Sequence, residues 1–229
     1  MHNPAAFLFD LNGTMIDDMA YHLDVWYDIL VNDLGADLSK EEVKGHMYGK
    51  NSELLVRIFG AHRFSQQEME RLSIEKERRY QQLYRPHLDL LPGLFSFLEE
   101  AHEQKIRMAI GSAAIPFNIN FVLDTLKIRH YFQAIVSADD VVNSKPDPET
   151  YLKAAAQLGV SPSSCIVFED APKGVESAQR AGMSAVVLTT MHRPEEFFAC
   201  DNVLMFVPDY MQLKPKTLVS GKSVSFRFH

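Results

Sequence analysis

Phe7-Leu8-Phe9-Asp10-Leu11-Asn12-Gly13-Thr14 carries an apolar run straight into a carboxylate, and an amide, a glycine and a hydroxyl follow at once. A short apolar run without alternation reads as a strand buried on both faces. This first run spans Ala5 to Phe9. Others lie at Ile106 to Ile110, Ala134 to Val136, Cys165 to Phe168 and Ala185 to Leu188, with a weaker one at Val203 to Val207. Helical spacing fills the intervals at Leu94 to Gln104, Phe117 to Leu126, Pro148 to Leu158 and Pro172 to Ala181. Pro116, Pro148 and Pro172 suit first turns, and Gly159 and Gly182 suit helix ends. Strands alternating with helices predict an α/β protein with a doubly wound parallel sheet covered on both faces.

The alternation breaks once. Between Met19 and His87 only helical patterns occur: Met19 to Leu34, Lys40 to Lys44, Ser52 to Phe59 and Gln66 to Tyr84. Ser39 with Glu42, and Ser65 with Glu68, spell capping boxes. A second, smaller, all-helical domain is therefore expected over residues 18–89, inserted into a core formed by residues 1–17 and 90–229. Its exits fall near Asp17/Asp18 and Leu91-Pro92-Gly93, where a hinge would let it close over the sheet edge. The tail after Lys214 has weak periodicity and is expected to be loosely attached.

At 229 residues the chain can bury a substantial core. Hydrophobic residues make up 46% and charged residues 23%, as in ordinary globular proteins. No apolar run approaches the roughly 18 residues of a membrane span, and the first residues lack a basic segment leading into a signal-like stretch. A cytoplasmic location is the expectation, with no membrane partner. A net charge of −7 without a dense Lys/Arg cluster argues against nucleic acid. Cys165 and Cys200 are too few for a disulfide framework.

In an open parallel sheet, ligands collect beyond the carboxyl ends of the strands. Asp10, Gly111-Ser112 and Glu169-Asp170 fall at such ends, and Ser144-Lys145-Pro146 precedes a helix in a crossover. Each alone reads as a turn, a cap or a solvated charge. Together they suit phosphoryl transfer. A carboxylate nucleophile needs its charge balanced before it approaches a phosphate, and Mg²⁺ does this while polarising the phosphoryl oxygens. Asp10, Glu169 and Asp170 offer hard oxygen ligands, Lys145 offsets charge, and the Ser112 hydroxyl with nearby backbone N–H groups suits phosphate oxygens.

These segments resemble the haloacid dehalogenase superfamily, in its β-phosphoglucomutase-like phosphatase branch. The matching text is Asp10-Leu11-Asn12-Gly13-Thr14, Gly111-Ser112, Ser144-Lys145-Pro146-Asp147-Pro148 and Phe168-Glu169-Asp170-Ala171-Pro172-Lys173-Gly174-Val175. The resemblance implies catalytic roles for Asp10, as a nucleophile that becomes an aspartyl phosphate, and for Asn12, Lys145 and His22. It implies Mg²⁺ on Asp10, the Asn12 backbone carbonyl, Glu169 and Asp170. It implies substrate contacts at Gly13, Thr14, Ser112, Ala113 and Lys50. His22 matches a histidine reaching in from the cap, and a residue simply packed at the hinge is its other reading. The expected protein is a monomer acting on a small phosphorylated substrate, in first place a sugar phosphate.

Two positions depart from the family. Asn12 stands where the family has an Asp that protonates the leaving group and then activates the acceptor. An amide has no comparable proton chemistry near neutral pH. Either the Asn is native with His22 or the substrate assisting, or it is engineered to trap a state, or the chain is a catalytically impaired phosphate-ligand binder. In the cap, Ser52 stands where mutases hold a distal phosphate with arginine, leaving Lys50, His46 and Arg57 as substitutes. A phosphohydrolase is the first reading, and β-phosphoglucomutase the alternative.

Overall fold

The computed structural model describes residues 6–219. Six strands form one parallel sheet: β1 (Ala6–Phe9), β2 (Arg107–Gly111), β3 (Ala134–Val136), β4 (Cys165–Glu169), β5 (Ser184–Leu188) and β6 (Val203–Val207). Their spatial order is β3-β2-β1-β4-β5-β6. The chain winds outward from β1 one way and from β4 the other, so the crossovers diverge between these two strands. A crevice opens at such a switch point. In register Phe9 faces Phe168, which sets Asp10 beside Glu169, and the Asp10 N–H donates to the Phe168 carbonyl at 3.0 Å.

Successive β1 side chains point to opposite faces. Phe7 and Phe9 enter an aromatic layer with Phe97 and Phe168; the Phe9 and Phe168 rings stack at 4.7 Å. Ala6 and Leu8 enter the other layer, with Ala109, Ala154 and Ala155. The small residues there let α7 (Glu149–Leu158) approach closely. At Gly111 a Cβ would already lie 3.2 Å from the Tyr151 ring.

Five further helices cover the sheet or its edges: α5 (Leu94–Glu103), α6 (Pro116–Thr125), α8 (Pro172–Arg180), α9 (Pro215–Val219) and α7 already given. Between β1 and β2 stands the helical cap: α1 (Met19–Tyr27), α2 (Lys40–His46), α3 (Asn51–Phe59) and α4 (Gln66–Tyr84). Both expected capping boxes form, at Ser39/Glu42 and Ser65/Glu68. The single helix expected from Met19 to Leu34 is α only to Tyr27 and widens to a π-helix over Asp28–Asp33. The two exits are tied together, since the Leu91 N–H donates to the Met15 carbonyl at 2.9 Å.

Ala5, expected to open β1, lies outside the described residues, as does the tail from residue 220. The start of that tail is not loose: α9 buries Pro215 and Leu218. One helical turn is too short to show a period. No helix among the described residues is long and apolar enough to cross a membrane.

Candidate active site

Asp10, Glu169 and Asp170 converge where β1 and β4 end, with one oxygen of each within 4.8 Å of the others, all three buried. Lys145 arrives from the loop before α7. Its ammonium donates to Asp10 Oδ1 at 2.6 Å, Glu169 Oε1 at 2.8 Å, the Tyr151 hydroxyl at 2.8 Å and the Gly111 carbonyl at 3.0 Å. Glu169 Oε2 accepts the N–H groups of Asp170 and Ala171, both at 2.9 Å. Gly174 makes room for that carboxylate, because a Cβ there would meet Glu169 Oε1 at 1.7 Å.

Burial dominates the electrostatics. It pushes Asp10 up to about 7, helped by the Glu169 charge and opposed by Lys145. Burial, with Glu169 and Asp10 alongside, also raises Asp170 well above the carboxylate range. For Lys145 burial acts downward but is outweighed by Asp10 and Glu169, which hold it above its ordinary value. Three carboxylates thus share one ammonium.

Gly13 has φ +75°, the left-handed region that favours glycine, and a Cβ on it would strike Asp170 Oδ2 at 2.1 Å. Thr14 is fully buried and its hydroxyl donates to Asp170 Oδ1 at 3.3 Å. The two residues therefore stand behind Asp170 and do not line the cavity, unlike the expected substrate contacts Ser112, Ala113 and Lys50. The Ser112 oxygen accepts the Ala114 N–H at 3.1 Å, which leaves its own proton for a ligand. The Lys50 ammonium donates to the Val141 carbonyl at 2.6 Å. Arg57 is engaged by the His46 and Tyr48 carbonyls, and neither it nor His46 lines the cavity.

Asn12 is held by the cap. Three donors meet on Asp18 Oδ2: the Asn12 amide at 2.5 Å, the Tyr80 hydroxyl at 2.5 Å and His22 Nε2 at 3.2 Å. An amide oxygen turned that way would set two acceptors together, so the nitrogen faces Asp18. His22 Nδ1 takes a proton from Lys76 at 2.6 Å, which places the imidazole hydrogen on Nε2, 3.0 Å from the Asn12 nitrogen. Its ring stacks on Tyr80 at 3.8 Å. Burial opposes ionisation of Asp18, but His22 and the bonds from Tyr80 and Asn12 keep its carboxyl below the usual range.

The cavity measures about 160 Å³ and is bounded by Trp26, Met47 and Leu54 on the cap side. Asp10, Asn12, His22, Lys145, Glu169 and Asp170 all reach it. Tyr151, Asp18, Lys76 and Tyr80 were not singled out from sequence. Lys76 and Tyr80 do stand four apart on α4, which is one helix face. Asn118 was missed too; its only signal is a polar residue in the apolar run of α6.

The sequence pattern of a family described as haloacid dehalogenase-like hydrolase matches residues 7–188. A β-phosphoglucomutase of Bacillus subtilis is 35% identical over 186 residues, which is 79% of this chain and 81% of that protein. A fructose-1-phosphate phosphatase of Escherichia coli is 32% identical over 187 residues, 80% of this chain and 95% of that one. Among solved structures, a β-phosphoglucomutase of Clostridium difficile superposes with a TM-score of 0.80 at 30% identity, covering 95% of this chain and 96% of its own.

Proposed function

We propose that this chain, which belongs to the haloacid dehalogenase-like hydrolase family in its β-phosphoglucomutase-like branch, is a Mg²⁺-dependent phosphohydrolase. It moves a phosphoryl group from a small sugar phosphate to Asp10 and then to water. The observation that carries this reading is the buried meeting of Asp10, Lys145, Glu169 and Asp170 on the floor of a capped cavity.

The donors fit a hard divalent ion. They are oxygens only, they converge, and one ammonium leaves them with excess negative charge in a dry place. Asp10, Glu169 and Asp170 would hold Mg²⁺ with the Asn12 carbonyl, and when bound it would neutralise the carboxylates and polarise phosphoryl oxygens. Asp10 attacks phosphorus, the P–O bond to the leaving group breaks, and an aspartyl phosphate results. Lys145 stays on Asp10 and Glu169 and balances charge on the transferring group. Ser112 donates to a phosphoryl oxygen.

Proton transfer is the weak link. The Asn12 amide is committed to Asp18 and carries no acid, so the leaving group and the attacking water depend on His22 Nε2 or on solvent. Turnover is therefore slow. The mutase reading finds less support, since Lys50 and Arg57 already serve backbone carbonyls and a distal phosphate lacks their help. The same proposal has the chain working as a monomer in the cytoplasm, its charge of −7 being unfavourable for nucleic acid.

p-Nitrophenyl phosphate tests this directly, because its leaving group departs without a proton. Phosphate release that needs Mg²⁺ and vanishes in Asp10→Asn is expected. Release undiminished by chelation or by that substitution would overturn the proposal.

A further inference from the structure

Asn118, in the first turn of α6, is fully buried, borders the cavity, and has no hydrogen-bond partner for either Oδ1 or Nδ2. Buried amides are nearly always paired. One left open beside a cavity holds a donor and an acceptor toward whatever enters. Glu77 of α4 stands at the same cavity, 2% exposed. Its Oε1 takes Lys76 at 2.9 Å and Asn51 at 3.0 Å, while Oε2 is buried with no partner. Burial opposes its ionisation, yet Lys76 and His22 hold its carboxyl below the usual range.

We propose that Asn118 and Glu77 form a hydroxyl-recognition subsite that selects a neutral, hydroxyl-rich leaving group, a sugar or polyol bearing a single phosphate. The inference rests on the phosphohydrolase reading for the position of the phosphate, since Asp10 borders the same cavity. A hydroxyl both donates and accepts, which matches the two ends of the Asn118 amide. The open oxygen of Glu77 accepts only. A second phosphate accepts only as well and is repelled there. The cations that would greet it are engaged: Lys50 by the Val141 carbonyl, Arg57 by the His46 and Tyr48 carbonyls, and Lys173 over the Tyr48 ring at 4.1 Å.

Binding without turnover tests the subsite. Calorimetry on the full chain carrying Asp10→Asn, with Mg²⁺, would compare hexose and hexitol monophosphates, the corresponding bisphosphates and inorganic phosphate. At least one monophosphate should bind about tenfold tighter than inorganic phosphate, and adding Asn118→Leu or Glu77→Gln should shrink that preference by about tenfold. Leucine matches asparagine in size and removes two unpaired polar atoms, so thermal unfolding should show Asn118→Leu folded; Glu77→Gln tests the subsite independently. A preference unchanged in both variants, absent across the panel, or larger for bisphosphates would overturn it. Failure of wild-type p-nitrophenyl phosphate hydrolysis, by contrast, strikes the phosphohydrolase reading and leaves the measured hydroxyl preference standing.

Discussion

Replacing Asn12 by Asp puts an oxygen where the amide nitrogen now stands, 2.5 Å from Asp18 Oδ2. Two carboxylate charges at that distance repel by roughly 6–7 kcal/mol at an effective dielectric of about 20, so the pair keeps one proton at neutral pH. That proton is what the wild-type site lacks. General acid catalysis contributes about 10²- to 10⁴-fold in rate, or roughly 2.7 to 5.4 kcal/mol of barrier. Against this stands the lost amide bond to a charged acceptor, about 1.5–3 kcal/mol of folding stability, which the shared proton largely restores. The assay is steady-state phosphate release from an alkyl phosphate and from p-nitrophenyl phosphate, with Mg²⁺. For Asn12→Asp the alkyl ester should gain about 10² or more in kcat/KM. The nitrophenyl ester should gain little in kcat/KM, because its leaving group needs no proton. Equal kcat/KM for the alkyl ester in both chains, with folding and Mg²⁺ binding intact, would refute the reasoning and mean that another group already carries the proton.

Lys145→Met strips the ammonium from Asp10 and Glu169 and should lower stability in urea by about 3–5 kcal/mol in the absence of Mg²⁺, with added Mg²⁺ restoring part; an unchanged midpoint would contradict the charge balance described. Gly174→Ala places a methyl 1.7 Å from Glu169 Oε1 and should weaken Mg²⁺ binding at least tenfold by calorimetry, with a stability loss of about 1–3 kcal/mol. In the cation-free chain Asp10 holds its proton up to about pH 7, against 3.8 for an ordinary Asp, so its contribution to folding is full at low pH and is lost as pH rises through about 7. Mg²⁺ needs the ionised form, so binding near pH 6.5 should release protons and tighten as pH rises, visible as a buffer-dependent calorimetric enthalpy.

Most of the architecture could be read from the chain because its signals are local. Buried parallel strands appear as continuous apolar runs such as Phe7 to Phe9, and the cap helices announce themselves at Ser39/Glu42 and Ser65/Glu68. Asp10, Lys145, Glu169 and Asp170 were legible because parallel strands deliver their carboxyl ends to one edge. What escaped depends on contacts between distant segments. Asp18 meets Tyr80 across 62 residues and Lys145 meets Tyr151 only once α7 has turned, so neither partner stands out in a linear pattern. Gly13 and Thr14 reach Asp170 because the turn after β1 folds behind it, a direction that spacing alone does not reveal. The π-helical widening after Tyr27 has no sequence signature here.

The central claim is that Asp10 carries the phosphoryl group and that Asn12 slows its release. Rapid quench after mixing the wild-type chain with Mg²⁺ and p-nitrophenyl phosphate, followed by mass spectrometry of the intact protein and of the peptide containing Asp10, measures this directly. A phosphoryl group should accumulate on Asp10 in the wild-type chain and fall sharply in Asn12→Asp, whose acyl phosphate breaks down faster. Nitrophenol release with no phosphoryl group on Asp10 at any time, or equal accumulation in both chains, would contradict it.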